Sequence, residues 1–152
     1  MVKVKENDFF PCDMVLINSS LPKGVCYVET KNLDGETNLK HKQANKSMMK
    51  MANSDDDVLM NFNSSQIDCR GPNELLYQFD GNITLQSGMQ EPLNADNFLL
   101  RGSQLRNTDF IYGVATYTGH ETKVMMNSTG SRAKKSDIEK KMDTYIIVII
   151  VF

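Results

Sequence analysis

The chain has 152 residues, of which 40% are hydrophobic and 24% are charged, and its formal net charge is −2. This length and composition suit one globular domain with a real hydrophobic core. A surface that follows nucleic-acid phosphates needs a marked excess of basic residues, so the charge balance argues against a nucleic-acid partner.

Short β-strands make up most of the predicted structure. Alternating or β-branched runs are separated by Gly, Pro, Asn and Asp, which are typical of turns. The predicted strands are Val2–Lys5, Asp13–Asn18, Val25–Thr30, Gln66–Arg70, Leu75–Phe79, Asn82–Gln86, Asn97–Leu100 and Phe110–Tyr117. The Asp80-Gly81 step predicts a hairpin between the fifth and sixth of these strands. The spacing favours a mainly β fold, a β-sandwich or distorted jelly roll.

Helices are predicted at only a few places, mostly near the edges of the fold. One short helix is expected over Asn38–Lys50, and Glu121–Asn127 is expected to form a turn or two. Another covers Asp55–Phe62, where three aspartates favour a helix N-terminus and Ser54 can act as its cap. A further helix is predicted from Asp137 onward.

A turn rich in functional groups follows the strand predicted over Val25–Thr30. It contains Asp34, Gly35, Glu36 and Thr37, and glycine at its centre permits backbone angles that other residues resist. Asp34 can brace the turn by accepting backbone N–H bonds, and Glu36 can project from it. An exposed carboxylate on such a loop can orient or deprotonate a water in another domain's site. Taken alone, the tetrad also fits an ordinary surface turn.

The last eight residues, Tyr145–Phe152, are all apolar. As a helix they would span about 12 Å, under half of a hydrocarbon core of about 30 Å. The run therefore predicts either the start of a transmembrane helix or a buried terminal strand rich in β-branched residues. Basic residues just before it, Arg132–Lys135 and Lys140–Lys141, favour a cytosolic approach to the membrane. We expect the chain to be an internal piece of a longer membrane protein.

Four separated blocks of the sequence carry a family pattern: Phe9–Ile17, Cys26–Lys40, Leu99–Thr108 and Tyr117–Lys123. Together and in this order, they resemble the actuator domain of P-type ATPases in the phospholipid-flippase class. The resemblance covers nearly the whole chain and is weakest over Asn45–Ser65. The loop reads Asp-Gly-Glu-Thr, as in the flippase class, where ion pumps usually carry Thr-Gly-Glu-Ser.

The resemblance implies an actuator domain over residues 1–130, a basic linker over 131–144 and the start of a transmembrane helix over 145–152. It implies that Glu36 positions and deprotonates the water that attacks an aspartyl phosphate in the protein's own phosphorylation domain. Asp34, Gly35 and Thr37 would complete that loop. Arg101 and Arg106 lie in a matching block, where they would contact neighbouring domains or tie down the loop.

For the parent protein, the resemblance implies an ATPase that moves a phospholipid to the cytosolic leaflet. ATP and Mg²⁺ would bind outside this chain, a small membrane β-subunit would be a partner, and this domain would face the cytosol. Two alternatives stay open: a cation-pumping P-type ATPase, and a membrane-tethered β-sandwich module whose acidic loop binds a cation or peptide. No Gly-x-x-x-x-Gly-Lys phosphate cradle occurs in the sequence, so we expect the chain alone not to hydrolyse ATP.

Overall fold

The computed structural model describes residues 1–128, and most of its regular elements are short β-strands. The strands are β1 (Val2–Lys5), β2 (Asp13–Ser19), β3 (Val25–Glu29), β4 (Lys40–Gln43), β5 (Gln66–Cys69), β6 (Gly81–Thr84), β7 (Gln90–Leu93), β8 (Phe98–Leu99), β9 (Gln104–Arg106) and β10 (Phe110–Tyr117). The α-helices are α1 (Lys31–Asp34), α2 (Lys46–Met49) and α3 (Asp55–Phe62), and residues 123–128 are also helical. The predicted linker over 131–144 and the apolar run over 145–152 lie outside the described residues.

The strands form three antiparallel sheets. The largest has the order β1-β10-β2-β8, a second has the order β4-β3-β9, and a third is the sequential meander β5-β6-β7. This arrangement confirms the prediction of a mainly β fold, while the jelly-roll assignment stays a prediction. Within residues 1–128, no helix has both the length and the apolar character needed to cross a bilayer.

Strand β2 separates the two hydrophobic clusters of the core. Its four consecutive residues Met14, Val15, Leu16 and Ile17 are all fully buried. Successive side chains of a strand point to opposite faces, and here Val15 and Ile17 join one cluster while Met14 and Leu16 join the other. Because both faces of β2 are covered, the strand is a continuous apolar run instead of an alternating one.

The predicted helix over residues 38–50 is wrong. Residues Lys40–Gln43 form β4, which pairs with β3 from Val28↔Lys40 to Val25↔Gln43. Only the last part of the segment is helical, since α2 begins after Asn45, whose side chain accepts the backbone N–H of Ser47 at 2.8 Å. The sequence Lys-His-Lys-Gln offers no apolar stripe that a helix could bury, whereas backbone pairing with β3 needs none.

The strand predicted over Leu75–Phe79 is also wrong, and with it the Asp80-Gly81 hairpin. Residues 70–80 form an irregular connection from β5 to β6, and Gly81 is already the first residue of β6. The aromatic residue that suggested a strand has another role, because Phe79 is buried and stacks on Phe98 with ring centroids 4.3 Å apart. The short strands β4, β7 and β9 were not predicted.

Other predictions are confirmed. Strands β1 and β10 have the predicted bounds, and α3 covers Asp55–Phe62 as expected. The Ser54 side chain caps α3 by accepting the backbone N–H of Asp57 at 3.2 Å. This local chemistry was readable because a cap and an acidic first turn act within a few residues of each other.

Candidate functional site

The candidate site is the loop Asp34–Thr37, which joins two paired strands. Strand β3 leads into α1, a single helical turn, and the chain returns in β4 alongside β3. The turn is closed by the N–H of Gly35, which donates to the carbonyl of Lys31 at 2.9 Å. The loop therefore lies at one end of the β3–β4 hairpin, and the strand pairing and the helical turn hold its two ends in place.

Gly35 ends the helical turn in a left-handed conformation, with φ at +75°. Glycine adopts this conformation at little cost, and a residue with a Cβ resists it. Among residues 1–128 the space beside it is open, since a Cβ built on Gly35 would meet none of their heavy atoms within 4 Å. Glu36 and Thr37 are both exposed, and 61% of the Glu36 side chain faces solvent. The loop tip is therefore free to meet another surface.

The Asp34 carboxylate is the centre of the loop's hydrogen bonds. Its Oδ1 accepts the backbone N–H of Glu36 at 2.9 Å. Its Oδ2 accepts the ammonium of Lys40 at 2.9 Å and the hydroxyl of Tyr77 at 2.5 Å. The Thr30 hydroxyl lies 3.1 Å from both oxygens. Asp34 therefore braces the loop as the sequence predicted, and its side chain is only 16% exposed.

These contacts set the electrostatics of the loop. Partial burial raises the pKa of Asp34, but the hydrogen bonds from Tyr77, Glu36, Lys40 and Thr30 outweigh it and hold that pKa well below its usual range. Burial alone would lower the pKa of Lys40. The hydrogen bond to Asp34 and the nearby negative charges outweigh that effect, so the pKa of Lys40 is raised. The Asp34–Lys40 pair is thus ionised at neutral pH.

Three residues that the sequence did not single out surround the loop: Thr30, Lys40 and Tyr77. Lys40 reaches Asp34, approaches Glu36 Oε2 at 3.5 Å and lies 4.2 Å from the centre of the Tyr77 ring. Lys40 could have been noticed, because it follows Glu36 by four residues. Tyr77 could not, because it comes from the irregular connection between β5 and β6, 43 positions away from Asp34.

The two arginines of the downstream block have partners within the domain. The Arg101 guanidinium donates to the carbonyl of Gly119 at 3.1 Å, and the Arg106 guanidinium donates to Asn7 Oδ1 at 3.1 Å. The same block reaches α1 from the side, since a Cβ placed on Gly102 would lie 3.4 Å from Leu33 Cδ2. The two arginines therefore join segments within the domain, and the contact of this block with α1 is the close approach of Gly102 to Leu33.

The chemistry available at this site is that of a positioned carboxylate. Across the described part of the chain, no three His, Cys, Asp or Glu side chains are grouped so that they could hold a metal ion. Glu36 is exposed and its backbone N–H is fixed by Asp34. Such a carboxylate can orient a water molecule and accept its proton when a reacting group is brought to the loop.

Comparison with known proteins gives several close similarities. The chain is 50% identical over 147 residues to Phospholipid-transporting ATPase 6 and to Probable phospholipid-transporting ATPase 7, both from Arabidopsis thaliana, with 97% of the chain covered. It is 47% identical over 156 residues to Probable phospholipid-transporting ATPase 12 of the same plant, with 100% covered. No family model matches the chain. The chain spans only 11–13% of the length of these relatives.

Proposed function

The chain is homologous over nearly its whole length to one segment of the phospholipid-transporting ATPases, a P-type ATPase class, and from this premise we propose that it is their actuator domain. In this proposal the domain promotes hydrolysis of the aspartyl-phosphate intermediate that forms in the protein's own phosphorylation domain. The observation that carries the proposal is the loop itself. An exposed glutamate stands at its tip and a neighbouring aspartate fixes the backbone beneath it.

Glu36 is the residue to which we assign the chemistry. Its carboxylate orients a water molecule for attack on phosphorus and accepts a proton from it, while the phosphorus–oxygen bond to the aspartate breaks. Removing this proton makes the water a better nucleophile and so lowers the barrier to forming the new bond. Holding the water in the attacking orientation reduces the entropy that is lost in the transition state. Gly35 leaves room for close approach, and Thr37 lies beside Glu36 to bond the water or the phosphate.

No residue of this chain is assigned to ATP or Mg²⁺. The sequence has no glycine-rich phosphate cradle, and the described residues hold no group of metal ligands. On the basis of the homology with much longer transporting ATPases, we propose that both bind in other domains of the parent protein. The parent would be an integral membrane protein with a phospholipid substrate and a membrane β-subunit, and this domain would lie on its cytosolic side.

The test is the substitution Glu36→Gln in a full-length transporter carrying this segment. The change keeps the size of the side chain and removes its charge and most of its basicity. Phosphorylation from ATP should proceed, while breakdown of the phosphoenzyme should slow by about 10²-fold, as expected for losing a positioned general base. A chase of labelled phosphoenzyme, with and without lipid, measures both steps.

Glu6→Gln is the matched control, because Glu6 is an exposed glutamate on the turn after β1. It should leave phosphorylation and breakdown unchanged. Equal decay of the Glu36→Gln and wild-type phosphoenzymes would remove Glu36 from the reaction and leave the loop as an ordinary surface turn.

A further inference from the structure

The Tyr77 hydroxyl forms a hydrogen bond with Asp34 although the Tyr77 side chain is largely exposed and lies outside the core. Tyr77 belongs to the connection between β5 and β6, and its hydroxyl donates to Asp34 Oδ2 at 2.5 Å. The ammonium of Lys40 donates to the same oxygen at 2.9 Å and lies over the Tyr77 ring, 4.2 Å from its centre. Tyr77, Lys40 and Asp34 therefore form one compact group in which each member contacts the other two.

The connection that carries Tyr77 is fastened to the core by its neighbours. Phe79 is 6% exposed and stacks on Phe98, and Leu76 packs against the hydrophobic cluster that contains Val15 and Ile17. Tyr77 itself is 51% exposed, so its ring contributes little to core burial. The Tyr77 hydroxyl contacts Asp34 and its ring contacts Lys40, so both contacts are made to the loop and to the first residue of β4.

The effect of this contact extends beyond Asp34. Asp34 holds Tyr77 and Lys40 with one oxygen and the backbone N–H of Glu36 with the other. After Asp34 comes Gly35, which has a left-handed conformation and beside which the described residues leave open space. The orientation of the Asp34 carboxylate therefore determines where the backbone of Glu36 begins. Without the Tyr77 hydroxyl, Asp34 Oδ2 would keep only Lys40 and the Thr30 hydroxyl as donors, so the carboxylate would swing more freely and carry Glu36 with it.

We propose that Tyr77 is a positioning residue of the Asp34–Thr37 loop, holding the Asp34 carboxylate so that Glu36 projects in one fixed direction. In its catalytic part, this inference rests on the proposed function. The bond between Tyr77 and Asp34 links the irregular connection between β5 and β6 to the loop, so a displacement of that connection would displace Glu36. The bond itself is a property of the chain and can be tested without any turnover.

The first test is a pH titration of the Asp34 carboxyl by NMR in wild type and in Tyr77→Phe. The substitution keeps the ring beneath Lys40 and removes only the hydroxyl. The pKa of Asp34 should rise toward its ordinary value. The chemical shift of the Glu36 amide, which reports protonation of Asp34, should change with the same raised midpoint. Tyr27→Phe is the matched control, since Tyr27 is partly buried on β3 and its ring makes an edge contact with His41. An unchanged Asp34 midpoint in Tyr77→Phe overturns the proposal.

The second test measures phosphoenzyme decay in the full-length transporter. Tyr77→Phe should slow decay about tenfold, the effect of losing one hydrogen bond to a charged group, with phosphorylation from ATP unchanged. The double variant Tyr77→Phe with Glu36→Gln should decay no more slowly than Glu36→Gln alone, because Tyr77 acts through Glu36. Additive slowing would overturn that route.

The outcomes separate this inference from the proposed function. If Glu36→Gln slows decay and Tyr77→Phe does not, the actuator function stands and the positioning role is wrong. If Glu36→Gln decays normally, the proposed function fails and Tyr77 loses any part in that reaction. In that case the Asp34 titration still decides whether the hydroxyl holds the loop.

Discussion

Two aspartates show how strongly position determines the behaviour of a side chain. Asp34 lies at the surface among four donors, and its pKa is lowered despite partial burial. Asp13 is fully buried at the start of β2, and burial raises its pKa although it accepts the backbone N–H groups of Arg101 and Lys123 at 2.9 and 2.7 Å. Asp34 braces an exposed loop, whereas Asp13 ties β2 to two distant segments.

The bracing of the loop by Asp34 was readable from the sequence because its backbone partner is only two residues away. The bonds from Tyr77 and the role of Asp13 were not readable. They join residues 43, 88 and 110 positions apart, and nothing local in the sequence indicates such a pairing.

The lowered pKa of Asp34 predicts a loss of stability in acid. A carboxyl whose folded pKa lies below its unfolded value of about 3.9 contributes stability above that value and loses it as the pH falls toward the folded pKa. The urea midpoint of wild type should therefore fall between about pH 5 and pH 2.5 by more than that of Asp34→Asn. Asp13 has the opposite sign and is present in both proteins, so it cancels in the comparison. Parallel pH profiles would contradict the prediction.

Asp13→Ala should strongly destabilise the fold. The substitution leaves the N–H groups of Arg101 and Lys123 without their acceptor, and Lys123 is almost fully buried. Each unpaired buried donor costs about 1–3 kcal/mol, so we expect a loss of several kcal/mol by urea unfolding. Asp109→Ala is the control, because Asp109 is an exposed aspartate just before β10. A loss below about 1 kcal/mol for Asp13→Ala would show that the two N–H groups find other acceptors.

At the scale of elements, secondary structure was predicted well where the signals were local. The long apolar strands β2 and β10 were identified, as was the capped helix α3. Prediction failed for β4, whose Lys-His-Lys-Gln sequence has no strand signature and which exists because β3 provides a partner. It failed again for Leu75–Phe79, where apolar residues fix an irregular connection to the core. In both cases tertiary contacts outweighed local preference.

Gly35→Ala tests whether the loop needs the left-handed backbone conformation of glycine, because the added Cβ causes no steric clash. Gly35 and Gly88 both have positive φ, +75° and +86°, and a Cβ on either would meet no heavy atom of the described residues within 4 Å. Each alanine substitution should therefore lower the free energy of unfolding by about 1 kcal/mol through backbone strain alone. In the full-length transporter only Gly35→Ala should slow phosphoenzyme decay, because Gly88 lies in the turn between β6 and β7. Equal decay rates in the two variants would contradict a special role for the loop backbone.

At the scale of the whole described domain, residues 1–128, β2 is the central strand because it contributes side chains to both hydrophobic clusters. Leu16 is fully buried in the cluster that it shares with Met14, while Leu59 on α3 is 63% exposed. Leu16→Ala should lower the free energy of unfolding by about 2–5 kcal/mol, since it leaves a cavity in a covered core. Leu59→Ala should change it by less than about 0.5 kcal/mol. Urea unfolding of both variants measures the difference, and similar losses would contradict this division of the core.

The pairing order of the largest sheet has a consequence for synthesis on the ribosome. Within residues 1–128, strand β2 pairs with β8 and β10, and β1 pairs with β10, so the partners of both strands are synthesised much later. The β3–β4 hairpin and the β5-β6-β7 meander close over short stretches and can form while the chain is still growing. Until residue 117 has emerged, the apolar run Met14–Ile17 lacks one of its two neighbours. A nascent chain in that state exposes apolar side chains together with unpaired strand edges, a combination that favours aggregation until the later strands are made.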